Sequence, residues 1–511
     1  MVNRLEFSLA MQLIAYASIA QTPTVLWQTT LGGSVVDQGY GLTTTADGCV
    51  AVGLAFSTNG QVVGNHGAGD AWVVRLDDGG EVIWQRCFGG SDYDNASAVA
   101  KTPSGGFVCA GVTRSTDGNV SNTNGNYDMW AFQIDENGDL LWENSLGGTQ
   151  SDWAFGVTTS SDSGVIVVGR TYSADGDVEG FHGDVDAWVV KLDQSGTILW
   201  QRALGGSAFD IGQDVIETTD GNILVVGASS SIDGDVLSGQ AGGGDAWVVM
   251  LNPEGELLWE RTLGGSASDG FRAVVESDDG GFVLAGTTQS TEVPGYHAGR
   301  DGWVAKIDAT GTIIWQLALG GADVDELFDL ESDVNGGYVL CGQTKSSDGD
   351  LVSNLGDYDG WLLRLSNAGE IDWSTSMGGF VHENLYDIGV TVNGDYIFGG
   401  LTNSNDGELA SNHGGYDVWL VKLGLLETSI GARAAKTLEV TPNPTSGVVR
   451  VRVPTTGEYN LLLSDPLGKV IREWKMNSTS EVLSLEDVRS GIFFLSLQRG
   501  GIAHSHRLII E

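Results

Sequence analysis

The sequence predicts an all-β protein, and three observations carry that prediction. Tryptophans and glycines recur at a near-constant interval, the segments between them alternate apolar and polar side chains, and Gly-containing turn pairs punctuate those segments. One series runs Trp27, Trp84, Trp142, Trp200, Trp259, Trp315, Trp373. A second, each two residues after an Asp, runs Trp72, Trp130, Trp188, Trp247, Trp303, Trp361, Trp419. A glycine series runs Gly53, Gly111, Gly169, Gly227, Gly286, Gly342, Gly400, and spacings in all three stay between 56 and 59. Seven copies are present.

Within a copy the elements follow in order. DAWVVKLD, from Asp186 to Asp193, alternates: Trp188, Val190 and Leu192 face one way, Ala187, Val189 and Lys191 the other. A turn holding Ser195-Gly196 leads to a strand through Ile198, Leu199 and Trp200. After Leu204-Gly205-Gly206 a strand runs from about Asp210 to Thr218. The Asp220-Gly221 turn, where glycine tolerates positive φ, then opens a continuously apolar strand from Ile223 to Gly227, as expected of one covered on both faces. No long helical period intervenes.

Seven similar four-stranded units predict a seven-bladed β-propeller, in which each sheet hides its faces against its neighbours. A linear solenoid would instead require polar capping repeats. The chain termini favour a ring. No Trp-bearing strand follows the last DVWLVKL (Asp417 to Leu423), whereas Val25-Leu26-Trp27 is an orphan copy of that strand. The N-terminal strand is therefore expected to complete the last blade.

Charge divides the chain. Of 511 residues, 25 are Lys or Arg and 67 Asp or Glu, for a net charge of −42. Residues 1–431 carry −44 of it, while 432–511 carry +2 and half of the eight prolines. So acidic a chain is not expected to bind nucleic acid or anionic membranes, whose affinity comes from Lys and Arg. Cations, neutral polymers such as glycans, and proteins remain as partners.

The first twenty residues read as an export signal: Arg4, an apolar run from Phe7 to Ala17, and Ser18-Ile19-Ala20 before Gln21. After residue 30 no apolar run approaches the roughly 18 residues of a membrane span, so no transmembrane segment is expected. Cys49, Cys87, Cys109 and Cys341 show no metal or redox spacing and read as small buried side chains. The domains expected are a signal peptide at 1–20, the propeller at 21–424, a linker at 425–437 and a small β-sandwich at 438–511.

Strand order places the long loops between second and third strands on one face with the crossings between blades, and any site is expected there. Two sets of acids recur on that face. The first is Asp37, Asp94, Asp152, Asp210, Asp269, Asp325 and Glu383; the second is Asp70, Asp128, Asp186, Asp245, Asp301, Asp359 and Asp417. Seven-fold recurrence suits turn-forming Asp better than one reaction centre. Asp175, Asp177, Asp233, Asp235, Asp348 and Asp350 form Asp-Gly-Asp turns that could ligate calcium, the one cofactor the sequence suggests. His66, His182, His297 and His413 each stand four residues before a second-set Asp, spread around the ring rather than converging on one zinc. Trp153, Phe181, Tyr296, Tyr358 and Tyr416 lie outside the repeat pattern and could stack on sugar rings. No nucleophile–base constellation is visible, and no catalytic residue is assigned.

The G-x-D-x-W-V-V-K-L-D, L-G-G-S-x-x-D and D-G-G-F-V-L-A-G elements resemble the bacterial β-propeller repeat family, a likeness that implies fold and no single activity. Near the C-terminus, Thr441-Pro442-Asn443-Pro444-Thr445-Ser446-Gly447, Asp465-Pro466-Leu467-Gly468-Lys469-Val470-Ile471, Leu485 to Leu495 with Gly491, and the final RLIIE resemble the type A C-terminal sorting domain of bacterial type IX secretion. That resemblance implies a Bacteroidetes-like protein, signal-dependent export, recognition by the type IX machinery, and release or attachment at the outer cell surface. The expected activity is binding of an extracellular glycan or protein. A polysaccharide hydrolase or lyase, or a calcium-stabilised adhesive protein, are the alternatives.

Overall fold

The computed structural model describes residues 23–351, 353–409 and 412–424, then the strands between 439 and 510 with Thr445, Lys469, Leu485 and Val488 beside them. The expected signal at 1–20 and linker at 425–437 lie outside the described residues. The chain divides into two compact units, 1–424 and 425–511. Among the described residues there is no helix.

The first unit holds twenty-eight strands, β1–β28, in seven four-stranded antiparallel sheets that resemble propeller blades. The first sheet orders β2 (Asp37–Thr45), β3 (Gly48–Ala55), β4 (Asp70–Asp77) and β5 (Val82–Phe88). Five further sheets repeat this order from β6 (Asp94–Lys101), β10 (Asp152–Thr159), β14 (Asp210–Glu217), β18 (Asp269–Glu276) and β22 (Asp325–Ser332). The last combines β26 (Glu383–Val390), β27 (Tyr396–Thr402) and β28 (Asp417–Gly424) with β1 (Thr24–Leu31). Thr29 stands opposite Leu420 and Leu31 opposite Val418 in that pairing.

Cores form between the faces of successive sheets, where each third strand is buried along nearly its whole length. Ile166 and Val168 pack with Val225 and Trp247, and Leu42, Cys49 and Ala51 of the first sheet pack with Ile397, Val418 and Leu420 of the last. The second Trp series is buried throughout. Trp188 Nε1 donates to Gln201 Oε1 at 2.8 Å, and Trp72, Trp130 and Trp247 repeat that bond across the third-to-fourth strand pair. The first series clasps the neighbouring sheet instead: Trp27 Nε1 donates to the Asp78 carbonyl at 2.9 Å, Trp84 to Glu136 and Trp200 to Pro253.

Each first strand carries a β-bulge at the same place, between Gly39 and Gly41 in β2 and between Ala154 and Gly156 in β10. The bulge explains the glycine series. It drives the Trp153 carbonyl onto Gly169, where a Cβ would lie 1.8 Å from that oxygen.

The second unit has a three-stranded sheet of β29 (Glu439–Thr441), β30 (Val448–Arg452) and β33 (Ser480–Ser484). A four-stranded sheet orders β32 (Val470–Met476), β31 (Tyr459–Ser464), β34 (Gly491–Arg499) and β35 (Ile502–Ile510). Val449, Val451 and Leu483 of one share a core with Leu461, Leu463, Met476, Phe493, Leu495 and Leu508 of the other.

Candidate functional site

The first strands of all seven sheets line one cavity of about 630 Å³. The bulge turns one residue per strand toward it, always three after the first-set acid: Tyr40, Ser97, Phe155, Gln213, Arg272, Phe328 and Tyr386. The acid three residues earlier repeats in every sheet, whereas these residues do not. Four are aromatic, and three of them cluster: Phe328 and Tyr386 ring centroids are 5.0 Å apart, Tyr386 and Tyr40 6.0 Å.

One position on, three sheets carry a carboxyl where the others have Gly or Ala. Asp214 accepts the Val274 N–H at 2.9 Å, Asp329 that of Ile388 at 2.9 Å, and Asp387 that of Leu42 at 2.8 Å. Each bond ties one first strand to the next. Water reaches these carboxyls through the cavity, yet protein packs around them, and desolvation pushes Asp214 up to about 6 and Asp387 to about 7. Asp329 is raised further, by burial and then by Asp387, with which it shares a hydrogen bond. Glu331 on the same wall is raised to about 8 by burial and by Asp329.

Aromatic rings and cations gather where the first strands begin. Phe56, Tyr93, Tyr127 and Trp153 form a chain of contacts with centroids 6.1, 6.0 and 5.4 Å apart. Tyr358, His382 and Tyr416 form another, at 4.9 and 6.0 Å. Arg114 stands over Tyr127, and Lys345 over Tyr358. Arg170 stands over Trp153, Phe155 and Tyr172, each 5.5–5.6 Å from its guanidinium carbon, and Arg272 over Phe328 at 5.0 Å.

The aromatic residues singled out from the sequence therefore separate. Trp153, Tyr358 and Tyr416 belong to these chains, but Phe181 and Tyr296 are half-buried against the cores between sheets and stand away from the cavity. The Asp-Gly-Asp acids accept backbone N–H groups of the turn ahead of their own first strand. Asp175 takes Thr149 and Asp177 takes Gly147; Asp233 takes Ser207 and Asp235 takes Gly205; Asp348 takes Ala322 and Asp350 takes Gly320, all at 2.7–3.2 Å. Among the described residues no three His, Cys, Asp or Glu side chains are grouped to hold a metal.

The repeated acids are structural in the same way. Asp325 accepts Thr344 Oγ1 at 2.6 Å, Ser346 Oγ at 2.7 Å and the Gly321 N–H at 2.7 Å. Asp186 accepts the His182 N–H at 2.8 Å and meets its Nδ1 at 2.9 Å, a contact His66, His297 and His413 also make with their own Asp. The bulged residues escaped sequence reasoning. Their signal was a column of unlike side chains, three after an acid present in every copy.

Residues 439–511 match the family described as the secretion system C-terminal sorting domain. The chain carries a sorting domain. This marks it for export, and for attachment to the outer cell surface or secretion, and implies contact with the type IX machinery. Within the sorting domain Lys469 and Gly491, the exposed first residue of β34, are described, whereas Pro442, Asn443, Pro444, Gly447 and Gly468 lie outside the described residues.

Regulatory protein FlaEY of Caulobacter vibrioides is 25% identical over 236 residues, 42% of this chain. The chain covers only 24% of that relative's length. Among solved structures, PorZ, a surface component of the type IX secretion system of Porphyromonas gingivalis, is 12% identical with a TM-score of 0.40, over 92% of this chain and 59% of PorZ. The Neurospora crassa Pan2 WD40 domain is 10% identical with a TM-score of 0.42, over 78% and 96% of the two chains.

Proposed function

We propose that the first unit is a closed seven-bladed propeller that binds an extracellular glycan at the mouth of its central cavity, without chemistry of its own. Pairing of β1 with β28, and the core shared by the first and last sheets, support closure. The observation that carries the binding reading is the ring of bulged residues. A scaffold position that tolerates Tyr, Ser, Phe, Gln and Arg is not fixed by packing, and four aromatic faces beside polar groups suit sugar stacking.

The raised carboxyls are the one observation favouring an enzyme. Asp329 and Asp387 share a hydrogen bond, closer than the roughly 5 Å between carboxyl groups of a retaining glycosidase, and each is engaged by a neighbouring strand. That supports a bracing role. An array of neutral and acidic glycans, run beside a hydrolysis screen with the exported protein, tests the proposal. Binding without product release is expected, with Tyr386→Ala weakening it; product release, or capture of proteins alone, contradicts it.

A further inference from the structure

Among the cations of the first unit, most have an evident local role. Lys191, Lys306 and Lys422 each pair with an Asp of a neighbouring turn, and Arg86, Arg202 and Arg261 cover the first Trp series while donating to backbone carbonyls. Arg170 and Arg272 differ. Among the described residues neither forms an ion pair within 4 Å or donates a hydrogen bond, in a chain with 67 Asp and Glu, although the Glu326 charge acts on Arg272 from farther off. Arg170 Nε is buried without an acceptor. Arg272 faces the cavity, and surrounding protein lowers its pKa by desolvation. Arg272 is exposed to the water of the cavity and so open to a ligand, whereas the buried Nε of half-buried Arg170 carries a free-energy cost unless something supplies its acceptor.

The fold does not require either residue. Positions equivalent to Arg170 hold Leu54, Val112, Ala228, Thr287, Gln343 and Leu401. Those equivalent to Arg272 are the other bulged residues. Both guanidiniums stand over rings of the cavity wall, Phe155 and Phe328, and a cation held over ring faces keeps its planar N–H edge for a two-oxygen acceptor. Nearby, Arg114, Arg300 and Lys345 are already neutralised by Asp92, Glu326 and Asp357.

We infer that the cavity mouth takes an acidic sugar chain, with Arg170 and Arg272 as the groups that bind its carboxylate or sulfate substituents. This rests on the glycan reading above and narrows it. The unit's net charge repels anions at a distance, so selectivity comes from these two contacts rather than from long-range attraction.

The test uses the full exported chain and three probes of one length: an oligogalacturonate, its carboxyl-reduced galactose counterpart, and a sulfated galactose oligomer. Binding is measured calorimetrically for the native protein and for Arg170→Gln and Arg272→Gln, with melting curves confirming that each variant folds. At least one acidic probe is expected to bind about tenfold or more tighter than the neutral one, and each variant to lose about tenfold for that probe alone. Preference for one acidic probe over the other separates carboxylate from sulfate recognition. Equal binding of all three, or acidic binding unchanged in both variants, overturns the inference while leaving glycan binding standing. Failure of all three probes overturns both.

Discussion

Asp387 and Glu331 show how one fold makes ordinary carboxyls unusual. Burial against the neighbouring strand holds them at about 7 and about 8, so over the range from about 4 to 8 the folded chain keeps protons that the unfolded chain has released. Stability therefore falls as pH rises across that range. Asp70, Asp128 and Asp359, each raised to about 6 by burial, contribute the lower part of the slope, and Glu331 the upper part. Replacing Glu331 with Gln is expected to leave the melting midpoint at pH 5 unchanged and raise it by a few degrees at pH 8. A melting series from pH 5 to 8 that runs parallel to the native protein's would contradict this. None of it was legible in the sequence, where Glu331 is one acid among 67. A bulge inserts a residue and shifts the two-residue alternation beyond it, so the face each residue presents emerges only with the strand pairing.

Strands, by contrast, were readable almost residue by residue. DAWVVKLD begins β12 (Asp186–Leu192) where the alternation begins, and the Asp220-Gly221 turn separates β14 from β15 (Ile223–Ser229) as turn chemistry requires. The glycine series was visible, but its reason was not, because the clash it avoids is with a carbonyl on the adjacent strand. Gly169→Ala would place Cβ 1.8 Å from the Trp153 oxygen, and its cost is expected to exceed about 3 kcal/mol in denaturant unfolding. The Trp repeat offers a finer contrast. Trp188 bonds Gln201, whereas Trp303 Nε1 is buried without an acceptor. Both lose ring area in a Trp→Phe change, but only Trp188 leaves a half-buried partner without its donor. Trp188→Phe should therefore be the more destabilising by about 1 kcal/mol, and equal costs would mean the bond contributes nothing.

For the whole molecule the decisive element is the shortest argument in the sequence, an orphan Trp strand ahead of the first blade. β1 caps the exposed edge of β28, adds Leu31 to the core between last and first sheets, and sends Trp27 onto the first sheet's outer turn. Gly80 in that turn has φ +84°, and its Cβ would lie 2.8 Å from the indole, so ring and turn are fitted to each other. Deleting residues 21–31 thus removes contacts to two sheets that are farthest apart in the chain. If the sheets form a ring, amide-exchange protection is expected to fall in β26–β28 and in β2–β5 together, because a closed array has no free end to absorb the loss. Adding a peptide of residues 24–31 should restore both regions, since the vacated edge presents an unpaired row of N–H and carbonyl groups of matching register. An open array makes a different demand: protection falls in β26–β28 alone and the first sheet is untouched. The distinction also bears on binding, because only a ring brings Arg170 of the third sheet and Arg272 of the fifth to one shared mouth with Tyr386 of the last.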